Sequence, residues 1–184
     1  MRDSERFEQL LMEHLASDEV DLVMYAYRLA KRAHAGQTRD EGGRYFEHPK
    51  RVALILMQEV GSYQYEVLVA ALLHDVKEDT FVFTWEDLEL TFGARVRELV
   101  FLLSRKDAME NQRVPKTLYR ERIRNADEEV RLLKLADRLD NMRTLSACSV
   151  DKQDRVREET RRYYLSLARQ TNTYLYEQLN ALCE

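Results

Sequence analysis

Apolar residues recur along this chain at the spacing of an α-helix, and few residues interrupt them. One series consists of Val20, Val23, Tyr27 and Ala30, and residues 130–142 carry a second. Side chains three or four positions apart share one helical face, so both segments should be amphipathic helices. The 184 residues include only five glycines and two prolines, which leaves few places where helices must break. Because alternating strand patterns are also missing, the sequence predicts an all-α fold.

Glycines, prolines and capping residues predict the helix ends. In chain order we expect a helix end at Gly36 and then a helix with Pro49 at its first position, running to about Glu59 before Gly61. The next helix should begin at about Gln64. Further on we expect a capping box of Thr84 and Asp87, a break at Gly93, and one or two helices from Asp151 onwards. The charged stretch 104–117 contains Pro115 and should be a mobile loop. No linker or repeat divides the chain, so residues 1–184 should form a single domain, a helical bundle around one core.

The balance of charge limits the partners that this chain can bind. Its formal net charge is −4 with acidic and basic residues mixed, which excludes the basic surface that nucleic acid requires. The two cysteines, Cys148 and Cys183, fit neither a disulfide framework nor a thiolate metal site. No segment resembles a signal peptide or a membrane span. We therefore expect a cytoplasmic protein that binds neither nucleic acid nor membrane, with its oligomeric state left open.

Residues 71–80, ALLHDVKEDT, lead an apolar helical run directly into five ionisable side chains. Burying an imidazole and a carboxylate among alanines and leucines is costly unless a partner compensates, and a divalent metal is a common partner. Imidazole with carboxylate suits manganese, iron or zinc. The histidines of the chain are His14, His34, His48 and His74, of which His14 lies in a charged segment and should be a surface residue.

An adjacent His and Asp are a weak indication by themselves, because such pairs also form hydrogen bonds at helix ends. Two other positions strengthen it. His48 lies at a predicted helix start, and Asp137 lies in the middle of an apolar helical face. In the alternative interpretation, His48 caps its helix and Asp137 forms a salt bridge with Lys134 or Arg138.

Four segments of the chain carry a family resemblance. They are AHAGQTR (33–39), RYFEHP (44–49), LLHDVKEDT (72–80) and KLADRLDNMRTL (134–145). They are similar to the patterns AHxGQxR, PYIxHP, LLHDxxEDT and KLADRLxNMRTL, in the same order and at compatible spacing. The chain thus resembles, over about residues 20–170, the HD-domain phosphohydrolases, and especially the RelA/SpoT-type hydrolase domains and small alarmone hydrolases.

The resemblance implies a metal site that holds Mn²⁺. Its ligands would be His48 from the HP pair, His74 and Asp75 from the HD pair, and Asp137 from the LAD motif. A metal held by imidazoles and carboxylates keeps open positions, makes a water more acidic and neutralises phosphate charge. Such a site suits hydrolysis of a phosphate ester.

The resemblance also implies that Glu78 and Asp79 are catalytic. One carboxylate would orient or deprotonate the attacking water, and a neighbouring acid would protonate the leaving oxygen. Which residue has which task stays open. The alternative is that both are solvated residues at a helix end.

Arg39, Asn141 and Thr144 are the implied substrate-binding residues. In the family the arginine packs on the nucleobase, and a planar guanidinium suits stacking on a purine. Asn141 and Thr144 lie four and seven residues after Asp137, hence on its helical face, where they can hydrogen-bond a ribose or phosphate. For all three, the alternative is an exposed polar residue.

Other positions carry weaker expectations. His34 and Gln37 should have hydrogen-bonding or packing roles beside the ligands. Lys116, Arg157, Arg161 and Tyr164 are candidates for phosphate or base contacts, although basic residues on exposed helices mostly face solvent. The chain departs from the family pattern at Arg44, Lys77 and Asp140, the last of which is histidine in long bifunctional members, and these changes alter the charge near the pocket.

Together, the motifs predict a manganese-dependent alarmone hydrolase that removes the 3′-pyrophosphate of (p)ppGpp to give GDP or GTP, without synthetase activity. The substrate would be a small nucleotide. Three alternatives stay open: a preference for the adenine alarmone (p)ppApp, a broader HD nucleotidase, and a binding or regulatory module with a degenerate HD site.

Overall fold

The computed structural model describes residues 3–76, 84–105 and 113–184. Within these ranges the chain is helical and has no strand, apart from an isolated antiparallel bridge between Thr38 and Arg44. The all-α prediction is confirmed. The helices are α1 (Asp3–Met12), α2 (Ser17–Ala33), α3 (Glu47–Leu54), α4 (Tyr65–Leu73), α5 (Trp85–Phe92), α6 (Ala94–Leu103), α7 (Lys116–Asn125), α8 (Glu128–Arg143), α9 (Val150–Glu159), α10 (Leu165–Thr171) and α11 (Thr173–Ala181).

Most of the predicted helix ends agree with the structure. Gly61 adopts a left-handed conformation with φ of 75° after a π-helical stretch, Ile55–Val60, that continues α3. The Thr84 hydroxyl accepts a hydrogen bond from the Asp87 amide at 3.0 Å, as a capping box requires. Pro49 was expected at the first position of its helix but is the third residue of α3. Its missing N–H costs nothing there, because the first four amides of a helix lack an intrahelical partner.

The stretch 104–117 falls partly outside the described residues, which omit 106–112. Its end differs from the prediction, because α7 begins at Lys116 directly after Pro115. Proline is well tolerated at the start of a helix, so it marks a beginning here rather than a longer loop. Downstream, α9, a π-helical turn (Thr160–Tyr164) and α10 form one continuous helical run before α11, which matches the prediction of one or two helices.

Helix α4 lies at the centre of the fold. It packs against α2, α3, α6 and α8, and all seven residues from Val67 to Leu73 are buried. A helix that is apolar on every side has no solvent face, so the residues that follow it begin inside the molecule. On the other side of the metal-ligand candidates, α8 packs against α3, α10 and α11. Among the described residues, no helix combines the length and the apolar character that a bilayer span requires.

Candidate metal centre

His74 follows the last residue of α4 and is 7% exposed. Its Nδ1 atom lies 2.8 Å from the carbonyl oxygen of Ala71. Because a carbonyl can only accept a hydrogen bond, Nδ1 carries a hydrogen and donates it. The other ring nitrogen, Nε2, is buried and has no hydrogen-bond partner among the described residues. A buried nitrogen with a free lone pair is suited to a cation.

His48 is the second residue of α3 and is 1% exposed. It does not serve as the cap of its helix, because its ring points into the fold between α4 and α8. Its Nε2 atom lies 3.2 Å from Oδ1 of Asp137 and 3.6 Å from Oδ2 of Asp75. Its Nδ1 atom lies 2.6 Å from Oδ2 of Asp140. Both nitrogens therefore face carboxylates.

Asp137 enters the same space from α8. Its Oδ1 atom lies 3.2 Å from Nε2 of His48 and 3.9 Å from Nε2 of His74. Its Oδ2 atom accepts a hydrogen bond from Lys134 at 2.6 Å. The salt bridge of the alternative interpretation is therefore present, but it uses one oxygen and leaves the other directed at the imidazoles. Arg138 instead pairs with Glu159 at 3.1 Å.

The ligand atoms expected from the sequence lie together. Nitrogen and oxygen atoms of His48, His74 and Asp75 are within 4.8 Å of one another, and Asp137 approaches both imidazoles. This set of donors fits a first-row divalent ion. Burial by itself raises the pKa of Asp137, but Lys134 and the hydrogen bond with His48 hold the pKa of that carboxyl well below its usual range.

The protonation of His48 also reflects this crowding of carboxylates. Burial lowers its pKa, whereas hydrogen bonds with Asp137 and Asp140 and the charge of Asp75 raise the pKa to about 9. The carboxylates on both sides of the ring therefore favour its protonated form. A cation at Nε2 would have to displace a proton from that nitrogen.

Tyr45 supports the centre, and sequence reasoning assigned it no role. Its hydroxyl donates to Oδ2 of Asp75 at 2.9 Å, and its ring stacks on His34 with centroids 4.6 Å apart. Nδ1 of His34 in turn pairs with the side chain of Gln37 at 2.8 Å. The expected hydrogen-bonding or packing roles are thus present: His34 stacks on Tyr45, and Gln37 forms a hydrogen bond with His34. The sequence offered one indication of this role, because Tyr45 lies in the same motif as His48 and three residues before it.

A cleft of about 400 Å³ opens beside the metal-ligand candidates, and Asp137 lines it. All three expected substrate-binding residues line it as well, namely Arg39, Asn141 and Thr144. Arg39 donates to Oδ1 of Asn141 at 2.6 Å, and its guanidinium lies 5.4 Å from the centre of the Tyr45 ring. The Asn141 amide donates to Oδ1 of Asp137 at 2.6 Å. A polar chain thus links the cleft to the centre.

The remaining candidates fall into two groups. Glu78 and Asp79, with Lys77, lie outside the described residues. Lys116 is 3.9 Å from Glu159, and Tyr164 is buried beneath Arg138. Among the described residues, the cleft lining does not include the weaker candidates Lys116, Arg157, Arg161 and Tyr164.

Comparison with known proteins finds similarity over most of the chain. Residues 26–173 match the HD domain family. The chain is 40% identical over 169 residues to the bifunctional (p)ppGpp synthase/hydrolase SpoT of Escherichia coli, covering 89% of this chain and 24% of that protein. It is 37% identical over 166 residues to the guanosine-3′,5′-bis(diphosphate) 3′-pyrophosphohydrolase of Aquifex aeolicus, covering 89% of this chain and 23% of that protein. The chain thus spans about a quarter of the length of these relatives.

A solved structure is similar over nearly its whole length. It belongs to a metazoan ortholog of SpoT described as hydrolysing ppGpp and playing a role in starvation responses. The two chains share 30% of their residues and superpose with a TM-score of 0.78, covering 92% of this chain and 95% of the metazoan chain. The helical architecture described above is therefore shared with that protein.

Proposed function

The chain belongs to the HD-domain family, and from that premise we propose that it is a manganese-dependent hydrolase that removes the 3′-pyrophosphate of (p)ppGpp. The products would be pyrophosphate and GDP or GTP. One observation carries the proposal: two buried imidazoles and two carboxylates converge beside a cleft. The activities named for the bacterial relatives and for the metazoan protein support this substrate class.

His48 and His74, through Nε2, would hold the metal together with Asp75 and Asp137. Nε2 of His74 supports this assignment, because among the described residues it is buried, makes no hydrogen bond and lies 3.3 Å from Oδ1 of Asp75, while Nδ1 is engaged by a carbonyl. A bound divalent ion supplies positive charge that neutralises phosphate oxygens and makes a nearby water more acidic. Lys134 keeps Asp137 ionised, and Tyr45 holds one oxygen of Asp75 in place.

Arg39, Asn141 and Thr144 would bind the nucleotide in the cleft. The flat face of Arg39 suits stacking on a purine, and the guanidinium is already oriented by Asn141 and by the ring of Tyr45. Asn141 lies on α8 and Thr144 directly follows the last residue of that helix, and both side chains line the cleft, where they can hydrogen-bond a ribose or phosphate. In this arrangement the scissile phosphate would lie at the metal end of the cleft.

Glu78 and Asp79 are the proposed catalytic carboxylates. One would orient or deprotonate the attacking water and the other would protonate the leaving oxygen, a division that requires their pKa values to differ. Their position in the sequence, four residues after His74 and Asp75, supports this role.

Product analysis tests the proposal. Purified protein incubated with Mn²⁺ and ppGpp should release pyrophosphate and GDP in equal amounts, and the His74→Ala variant should release neither. Parallel incubation with ppApp measures the base preference, since a guanidinium stacks on either purine. Cleavage at a different phosphate of ppGpp, or of nucleotides that carry no 3′-pyrophosphate, would indicate a broader nucleotidase. Binding of ppGpp without any release of pyrophosphate would make the protein a binding module instead.

The proposal assigns hydrolysis alone to residues 1–184 as one cytoplasmic domain. Incubation of the same protein with GTP and ATP tests the expected lack of synthetase activity, because a synthetase would form a nucleotide that carries additional phosphate. We expect no such product.

A further inference from the structure

Asp140 is a buried carboxylate to which the proposed reaction gives no task. It lies on α8, three residues after Asp137, and is 1% exposed. Its Oδ2 atom lies 2.6 Å from Nδ1 of His48. Arg51 donates from Nε to Oδ1 at 2.6 Å and from Nη2 to Oδ2 at 3.1 Å. Both oxygens of Asp140 are thus engaged, one by the imidazole and both by the guanidinium.

This arrangement assigns different tasks to the two nitrogens of His48. An ionised carboxylate only accepts hydrogen bonds, so Nδ1 carries the hydrogen in its contact with Asp140. Nε2 is the nitrogen that faces Asp75 and Asp137. Nε2 is therefore the atom that can meet a cation, while Nδ1 is hydrogen-bonded to Asp140.

We propose that Asp140, held by Arg51, is a positioning residue that fixes the ring of His48 and its Nδ1–H tautomer for metal binding. The inference rests on the metal site of the proposed function. Histidine ligands of metals generally donate their second N–H to a carboxylate or carbonyl, which orients the ring and makes the ligating nitrogen more basic. His74 makes the equivalent contact with the carbonyl of Ala71.

Arg51 gives the carboxylate a fixed orientation. It lies one helical turn after His48 on α3, so the ligand and the group that holds its partner belong to the same helix. Its Nη2 atom also donates to Glu41 at 2.9 Å, and Glu41 lies 3.7 Å from Nε of Arg39. Contacts on two sides prevent the guanidinium from turning away, and Asp140 is restrained with it.

Replacing Asp140 with asparagine tests the role at nearly constant volume. A carboxylate accepts from both His48 and Arg51, whereas an amide must direct its NH₂ group at one of these two donors. Calorimetric titration with Mn²⁺ should show about 10- to 100-fold weaker binding for Asp140→Asn than for the unmodified protein. In the Zn²⁺-loaded unmodified protein, nitrogen-15 shifts should show a protonated Nδ1 on His48, and this signature should weaken in the variant.

Glu59→Gln is the matched control. Glu59 also pairs with an arginine of α8, since it accepts from both terminal nitrogens of Arg143 at 2.7 Å, but it does not contact the metal-ligand candidates. The Mn²⁺ affinity of the Glu59→Gln variant should equal that of the unmodified protein. A purely structural role for Asp140 would lower the stability of the variant while leaving the affinity of the folded fraction unchanged, and that result would overturn the proposal.

Arg51→Met provides a second test if Asp140→Asn does not fold. This variant leaves the carboxylate of Asp140 in contact with His48 but removes the guanidinium that orients it. Mn²⁺ binding should therefore weaken several-fold. Unchanged binding would overturn the proposal. Titration of the unmodified protein with Mn²⁺ distinguishes failure of the proposed function from failure of the role proposed for Asp140. Absence of Mn²⁺ binding there would contradict the proposed function itself, whereas normal binding with unaffected variants would contradict only the role of Asp140.

Discussion

At the scale of single residues, Asp137 shows how one carboxylate both faces a cation site and orders its surroundings. Its Oδ2 accepts from Lys134 at 2.6 Å, and its Oδ1 accepts from Asn141 at 2.6 Å while facing the imidazoles. These contacts keep a buried charge compensated before any cation arrives. Because the charge is compensated and the side chain is held on both oxygens, this part of the centre is ordered in advance of metal binding.

Replacement of ligands and of the proposed catalytic carboxylates should have different effects. His74→Ala removes a metal-binding nitrogen, so the variant should lose Mn²⁺ binding together with turnover. The double variant Glu78→Gln with Asp79→Asn should retain Mn²⁺ and lose turnover by at least about 100-fold, the usual effect of removing acid–base groups. Calorimetry and pyrophosphate release measure the two properties. Equal loss of metal in both variants would contradict this division of roles.

Arg39→Lys tests the stacking role, because lysine keeps the charge but lacks the planar guanidinium. Loss of a stacking contact of about 1–2 kcal/mol should raise KM for ppGpp about 5- to 30-fold with a smaller effect on kcat. Steady-state kinetics measure both constants. An unchanged KM would show that Arg39 does not contact the base.

The sequence indicated the candidate ligands but not the residues that hold them in position. His74 and Asp137 were recognisable because each interrupts an apolar helical run. Asp140 was noted only as a departure from the family pattern, and Arg51 was not noted at all, because a charged residue on a helix is usually solvated and their contact joins positions 89 residues apart. Pairs of this kind exist only once α3 and α8 are packed together, so no local pattern indicates them.

At the scale of helices, α4 determines how deep the centre lies. Leu72 on this helix is fully buried at 0% exposure, whereas Leu90 on α5 is 87% exposed. Leu72→Ala should lower the free energy of unfolding by about 2–5 kcal/mol, because it removes buried methyl groups and leaves a cavity. Leu90→Ala is the control and should change it by less than about 0.5 kcal/mol. Urea unfolding measures both, and equal effects would contradict the central position of α4.

Helix ends were largely predictable, since glycines and caps impose local geometry at Gly61, Thr84 and Gly93. The π-helical stretches Ile55–Val60 and Thr160–Tyr164 were not. A π-helical turn accommodates an additional residue without a distinctive composition, and its position depends on the packing of neighbouring helices. The spacing of apolar residues alone therefore predicts a continuous α-helix through such a stretch.

Glu159 connects α7 and α8 to α9, since it accepts from Arg120 at 2.5 Å and from Arg138 at 3.1 Å. Burial raises its pKa, but these guanidinium groups lower the pKa below the usual 4.5. A lowered pKa in the folded state stabilises the fold above pH 4.5, and this stabilisation is lost as the pH falls through the folded value. Glu159→Gln should therefore be less stable by about 1–3 kcal/mol at neutral pH. Urea unfolding should show the difference shrinking in acid, and a constant difference would contradict the argument.

At the scale of the whole molecule, the proposed metal ligands come from three separated parts of the chain: α3, the end of α4, and α8. The unfolded chain does not hold these side chains together, so Mn²⁺ should bind the native state in strong preference. At about 100 times the dissociation constant, the ion should add about 2.7 kcal/mol to the free energy of unfolding. Thermal unfolding with Mn²⁺ and with a chelator measures this shift, which should disappear in His74→Ala. If Mn²⁺ raised the melting temperature of His74→Ala as much as that of the unmodified protein, the stabilising ion would bind somewhere other than this centre.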